Sequence, residues 1–242
     1  MSISEPDRKF ISDNIKKVKQ DILTYSPYPS SVRLLAATKT VDAEKINFAL
    51  ECGVDLIAEN RVNELREKFD SIQVEKSRIH FIGQLQKNKV KYIIDKVSMI
   101  HSVDNVSLAE EIDKQAKKHD LVMNILVEVN IGDEENKGGV KPELVLDYIK
   151  YISKLSNIKI CGLMSIPPIC GDDEKKYYFF SEINKIFIDI SHKNVDNTNM
   201  EILSMGMSSD YREALKCGAN IIRLGSTIFG QRIYPVKIES NN

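Results

Sequence analysis

Eight short apolar runs, separated by amphipathic stretches, constrain this chain more than any other feature. The runs are VRLLAA (32 to 37), VDLIA (54 to 58), RIHFIG (78 to 83), VSMIHSV (97 to 103), VMNILVEVNI (122 to 131), IKICGLMSI (158 to 166), MEILSM (200 to 205) and NIIRLG (220 to 225). Each has the length of a strand. Between them, residues such as Leu144, Tyr148, Ile152 and Leu155, or Phe179, Ile183, Ile186 and Ile190, are spaced to lay one apolar stripe along a helix. Ile11, Ile15, Val18 and Ile22 repeat that stripe ahead of the first run, so an extra helix precedes the first strand. Strands alternating with helices pair in parallel, because each return to the same edge needs a crossover, and strands apolar on both faces suit a sheet covered on both sides. Eight such units in 242 residues fit a (β/α)8 TIM barrel, usually about 250 residues long. A doubly wound open sheet is the alternative that periodicity leaves open. No Pro/Gly/Ser-rich linker interrupts the pattern, so residues 1 to 242 read as a single domain.

Composition removes several classes of function. The 34 basic and 35 acidic side chains leave a formal charge of −1, and no basic excess points to nucleic acid or an anionic membrane surface. No apolar stretch reaches the roughly 18 continuous residues of a membrane helix. The opening MSISEPDRKF has no basic segment followed by an apolar one, so the expected location is the cytoplasm. Cys52, Cys161, Cys170 and Cys217 are far apart with no metal-finger spacing, and are expected to be reduced thiols, Cys161 within a buried strand.

Either topology places chemistry at the carboxyl ends of the strands. After the first strand stands Thr38-Lys39-Thr40. A lysine flanked by apolar side chains at such a mouth has its ammonium form disfavoured and can act as a neutral amine on a carbonyl; a solvated strand end is the plain alternative. Ala58-Glu59-Asn60-Arg61 follows the second strand, where Asn60 either caps the next helix or binds a ligand oxygen. His80 and His101 lie within strands and are expected to be core or barrel-lining imidazoles rather than catalysts, while His119 and His192 fall on polar helix ends. The acidic loop 133 to 139 lacks the ligand spacing of a calcium loop and reads as a solvated, mobile segment.

The last two units carry Ser204-Met205-Gly206-Met207-Ser208-Ser209-Asp210 and Arg223-Leu224-Gly225-Ser226-Thr227. In barrels these two loops, with the first turn of a short helix, form the recurrent phosphate site, although simple capping by Ser208 and Ser226 would leave the same pattern. The run GSTIFGQR imitates a nucleotide P-loop, but Gln231 and Arg232 replace the required lysine and hydroxyl residue. A lysine for an aldehyde beside a cradle for a phosphate points to pyridoxal 5′-phosphate. Arg223, a permanent cation, would then stand where many enzymes of this type place a carboxylate against the ring nitrogen, a site that holds the cofactor but stabilises carbanions poorly.

These residues, from LLAATKT through AENRVNEL, HFIGQLQKNK, IHSVD, VEVNIGDEENKGG and GLMSIPP to LSMGMSSDYREALKCGANIIRLGSTIFGQR, resemble the pyridoxal phosphate homeostasis protein family, also called the YggS/PROSC family, over almost the whole chain. The resemblance implies a barrel like the N-terminal domain of alanine racemase, with pyridoxal 5′-phosphate bound covalently to Lys39 as a Schiff base. It places Asn60 near the ring, Arg223 by the ring nitrogen and Ser208, Gly225 and Ser226 on the phosphate, with Met205 among the cofactor-binding positions. Three positions depart from the family pattern: Ala58 for glycine, Tyr211-Arg212 for an aromatic-acidic pair, and Gln84 at a variable place.

The implied function is intracellular homeostasis and delivery of the cofactor, without robust catalysis. The expected partners are the cofactor and recipient apoenzymes, with no nucleic acid or membrane, and the expected state is a monomer. An amino-acid racemase-like enzyme is the alternative. It needs a second base, which alanine racemase takes from an added domain, and the sequence reaches Asn242 soon after its last motif. A phosphate-sugar enzyme would need a carboxylate such as Glu59 or Glu128 at a strand end. Lys87, Lys89 and Lys137 are candidates for a transient second hold on the aldehyde.

Overall fold

A computed structural model describes residues 3–134 and 136–231; Arg232 of the P-loop-like run lies outside them. The eight runs form eight parallel strands closed in sequence order, with β8 paired back onto β1. They are β1 (Arg33–Ala37), β2 (Leu56–Glu59), β3 (Ile79–Phe81), β4 (Met99–Val103), β5 (Met123–Val129), β6 (Ile158–Ser165), β7 (Thr198–Ser204) and β8 (Ile221–Leu224). Closure selects the barrel over the open sheet.

Strand ends differ from the apolar runs for a physical reason. Val54 and Val97 are buried against helices yet precede the ladder. Conversely, polar Thr198 pairs with Ile160, because ladder hydrogen bonds belong to the backbone and do not require an apolar side chain.

The helices are α1 (Glu5–Tyr25), α2 (Ala43–Glu51), α3 (Val62–Lys68), α4 (Val106–Lys118), α5 (Val145–Ile152), α6 (Asp173–Ser191), α7 (Tyr211–Lys216) and α8 (Ser226–Phe229). Between β3 and β4 the crossover is a 3₁₀ segment, Lys87–Tyr92. α1 starts where Ser4 accepts a hydrogen bond from the Asp7 amide, and it buries all four residues of its expected stripe. In α5 the buried stripe is Val145, Ile149 and Ile152. Leu144 lies in a preceding 3₁₀ turn and Leu155 beyond the helix, so the expected stripe was displaced by one position at its start. In α6, Phe180 rather than Phe179 is fully buried, with Ile183 and Ile190. The acidic loop is tied down: Asn130 Nδ2 donates to the Glu134 carbonyl at 2.9 Å and Asn130 Oδ1 accepts from the Glu134 amide at 3.1 Å. Asp133 and Glu134 pair with Lys141 and Lys137. Cys161 is buried, as expected, and the four cysteines are free thiols. No described helix is long and apolar enough to cross a membrane.

Side chains alternate across the barrel wall. One set packs the sheet against the helices in the main core. The other fills the lumen in two small groups, Leu35, Leu56, Ala58, Ile82 and Ile221, and Met99, Leu126, Cys161 and Met164. At Gly162 the β5–β6 and β6–β7 registers both shift, φ is +150°, and an added Cβ would meet the Ile202 carbonyl oxygen at 1.8 Å. Gly162→Ala is expected to destabilise the fold by roughly 3 kcal/mol, because backbone rather than a side-chain end must move. The urea unfolding midpoint measures this, and an unchanged midpoint would contradict it.

Candidate functional site

Register brings the strand-end residues together. Ala37 pairs with Ala58 and Leu35 with Arg223, so two residues further along β1 the chain sets Lys39 beside Asn60 on one side and the Arg223–Gly225 segment on the other. Lys39 is half-buried and shares a cavity of about 340 Å³ with Ala37, Gly225, Ser226 and Phe229. Gly225 caps the short α8, where its carbonyl accepts from the Ile228 and Phe229 amides. Ser208, in the loop after β7, accepts from the Thr227 amide at 3.2 Å and so joins that loop to the first turn of α8.

Asn60 lines a second cavity of about 370 Å³ with Ile82, Gly83, Asp104 and Glu128. Its Oδ1 is buried with no hydrogen-bond partner among the described residues. Gly83 packs on the Asn60 backbone, where a Cβ would sit 1.9 Å from its carbonyl oxygen. Met205 stands apart from these residues. It is fully buried in the core between sheet and helices, and its amide is engaged by the Ile221 carbonyl at 3.1 Å.

Arg223 is 4% exposed and faces the lumen. Nη1 donates to Ser204 Oγ at 2.8 Å and Nη2 to the Ser165 carbonyl at 3.1 Å. Beneath it, His101 Nδ1 lies 3.1 Å from Ser204 Oγ, and His101 Nε2 lies 2.9 Å from His80 Nδ1. Burial pulls His80 down to about 3 and holds His101 well below the usual imidazole range, so both rings are neutral. Each then carries one N–H, and the run is satisfied with Arg223 donating to Ser204, Ser204 to His101 and His101 to His80. Burial lowers the guanidinium to about 10, opposed by Glu128 and Asp210, so it stays charged at neutral pH. The two histidines are thus core residues, as expected, and they also support the arginine from below.

The two carboxylates considered for sugar chemistry part company. Glu59 points behind the wall, 1% exposed, and is held by Thr38 and Lys68. Glu128 faces the cavity with no hydrogen bond to its carboxylate among the described residues. Burial, then Asp104, raises its pKa to about 7 against the pull of Arg223.

Outside the barrel, α1 holds both loop-bearing helices. Asp21 Oδ2 accepts from Tyr211 Oη at 2.6 Å and from Arg212 Nε and Nη2 at 3.0 and 2.9 Å. Asn14 Nδ2 donates to the Ile228 carbonyl at 3.3 Å. An acid at 212, usual in the resembled family, would here face Asp21; Arg212 turns that repulsion into an ion pair. Sequence reading missed Ser204, Asp104 and Asp21. Counting back by twos from Arg223 and Lys39 along paired strands identifies lumen-facing positions, but nothing local links α1 to residues almost 200 positions away.

The chain matches the profile of the alanine racemase N-terminal domain over residues 7–233. It is 42% identical over 202 residues to the pyridoxal phosphate homeostasis protein of Aquifex aeolicus, covering 84% of this chain and 88% of that protein. Against the protein of the same name from a Synechocystis species the identity is 36%, covering 85% and 94%. Among solved structures, PipY of Synechococcus elongatus with pyridoxal phosphate bound superposes with a TM-score of 0.78 at 28% identity, covering 91% of this chain and all of that one.

Glu128 sets a pH dependence of stability. Its folded pKa lies above the ordinary carboxylate value, so between pH 4.5 and about 7 the folded chain binds the extra proton. The corresponding stability is fully present below that window and is lost as pH rises through it. Glu128→Gln is expected to raise stability at pH 8 by on the order of 2 kcal/mol and to change little at pH 4, as urea unfolding at the two pH values would test.

Proposed function

The chain belongs to the alanine racemase N-terminal domain family and, within it, to the pyridoxal phosphate homeostasis proteins, and on that premise we propose that it binds pyridoxal 5′-phosphate through Lys39 and serves to hold and deliver it. When bound, the cofactor supplies an aldehyde to which a neutral amine adds reversibly, a C=N link forming as the carbonyl oxygen leaves as water with the amine's two protons. A second amine can take the aldehyde by the same exchange, which suits transfer to the active-site lysine of an apoenzyme.

The residues present fit the group. Lys39 and Gly225 share one cavity, so the amine and the first turn of α8 are served by one ligand that carries an aldehyde at one end and an anion at the other. Ser208, Gly225 and Ser226 would hold the phosphate, and the buried Oδ1 of Asn60, which has no partner among the described residues, is an acceptor that a hydroxyl could meet. The observation that carries the binding reading is the cavity that Lys39 shares with Gly225 and Ser226, while Arg223, which a racemase-like enzyme would share, limits what the bound ring can do in either case. The Arg223 charge is fixed in the lumen by Ser204 and the Ser165 carbonyl. A permanent cation at the ring nitrogen disfavours protonation there and weakens the ring as an electron sink. Glu128, facing the mouth with its pKa raised to about 7, favours, as a second reading, weak racemase-like proton transfer to a bound amino acid.

Borohydride reduction of the loaded protein is expected to fix the cofactor on Lys39, as peptide mapping would show, and Lys39→Ala is expected to abolish the visible absorbance of the imine. Ser208→Ala should weaken retention by roughly tenfold, the scale of one hydrogen bond to a charged group together with loosening of the α8 turn. Stopped-flow transfer to an apoenzyme at least as fast as from free cofactor at equal concentration would support delivery. Alanine racemisation at about 1 per second or more would favour the second reading instead.

A further inference from the structure

We propose that Glu59, Glu64 and Lys68 form a clamp behind the barrel wall that fixes the backbone on both sides of Lys39, with Lys68 as its central positioning residue. The inference rests on the reading of Lys39 as the cofactor lysine, and it concerns how that amine is aimed.

Alternation along β1 sends Leu35 and Ala37 into the lumen; past the strand, Thr38 is fully buried against Glu59, and Lys39, in the turn that follows, lines a cavity together with Ala37 and Gly225. On β2 the same alternation sends Ala58 inward and Glu59 outward. Thr38 Oγ1 donates to Glu59 Oε1 at 2.7 Å and to the Ala58 carbonyl at 3.0 Å. From the last turn of α3, Lys68 Nζ donates to the Thr38 carbonyl at 3.0 Å, to Glu59 Oε1 at 3.1 Å and to Glu64 Oε2 at 3.3 Å. An ammonium has three N–H donors, and here three acceptors meet them. Glu64 Oε2 also accepts from the Thr40 amide at 2.6 Å. The peptide before Lys39 is therefore held through Thr38 and the peptide after it through Thr40.

Two features show that this turn needs holding. Thr40 has φ +63°, a left-handed conformation uncommon for a non-glycine residue, which persists where its surroundings over-determine it. The cluster is also built away from water: the Lys68 side chain is 17% exposed and that of Glu59 1%. A surface ion pair would add little, but this one binds main chain at the base of a reacting side chain. A long, flexible lysine has many rotamers, and its reach is set by where its own Cα is anchored. Fixing both neighbouring peptides limits the volume its amine samples, the condition under which attack on a bound aldehyde gains from orientation.

The test uses Lys68→Met and, because removing one partner of a buried pair threatens folding, the double variant Glu59→Gln/Lys68→Met, which leaves no unpaired charge. Amide exchange at Thr40 and Val41, measured by NMR without cofactor, reads the clamp. The rate of borohydride-trappable attachment to Lys39 reads its purpose. Binding of pyridoxine 5′-phosphate, which keeps the phosphate and lacks the aldehyde, reads the remaining site. The expected result is exchange and attachment each altered on the order of tenfold, faster and slower respectively, with analogue affinity within about twofold of wild type. Unchanged exchange in a folded variant would overturn the clamp, and so would faster exchange with wild-type attachment. Faster exchange in the variants, alongside a wild-type protein that traps nothing on Lys39, would instead refute the cofactor reading and with it the purpose assigned here.

Discussion

The pairing of β8 onto β1 is the constraint on which the rest of this structure depends. Each strand alone exposes two edges and two apolar faces; closure removes the edges and divides the side chains between a dry outer core and a narrow lumen. It also brings the first strand, with Lys39, against the last, with Arg223 and Gly225, although almost the whole chain lies between them. Lys39 shares a cavity with Gly225 and Ser226 here only because the sheet closes with Leu35 opposite Arg223.

Closure has a second consequence, a charged group inside the barrel. Burying a guanidinium is unfavourable unless its donors are met. The lumen answers with Ser204, the Ser165 carbonyl and a run of two neutral imidazoles reaching down to the apolar floor. The desolvation that keeps His80 and His101 neutral also leaves Glu128 near the middle of the physiological pH range. One wall of the mouth is thus permanently cationic and the other titrates.

Three of the segments at the mouth are supported from behind. Asp21 and Asn14 on α1 hold the helices that follow the β7 and β8 loops, and the cluster around Lys68 holds the turn at Lys39. These contacts lie on the helix side of the wall, where they order the loops without occupying the mouth. Rigidity in this arrangement comes from outside, and the mouth itself is left open.

By itself the sequence determined eight parallel strands alternating with helices, the N-terminal helix and the residues at strand ends, because periodicity of two and of 3.6 is written into local order; closure into a barrel rather than an open sheet was decided by the pairing of β8 with β1. Lys39, Asn60, Ser208, Gly225 and Ser226 were expected beyond strand ends, and the structure puts each of them after its strand. Strand limits were less legible, as Val54 and Thr198 illustrate, since burial and ladder pairing are separate demands. Only the tertiary structure decided that Met205 belongs to the outer core, that Glu59 serves the back of the wall while Glu128 faces the mouth, and that Tyr211 and Arg212 answer Asp21. Those outcomes depend on register, on the inward or outward sense of single side chains, and on contacts between distant segments. None of these is fixed until the strands have paired around the full circle.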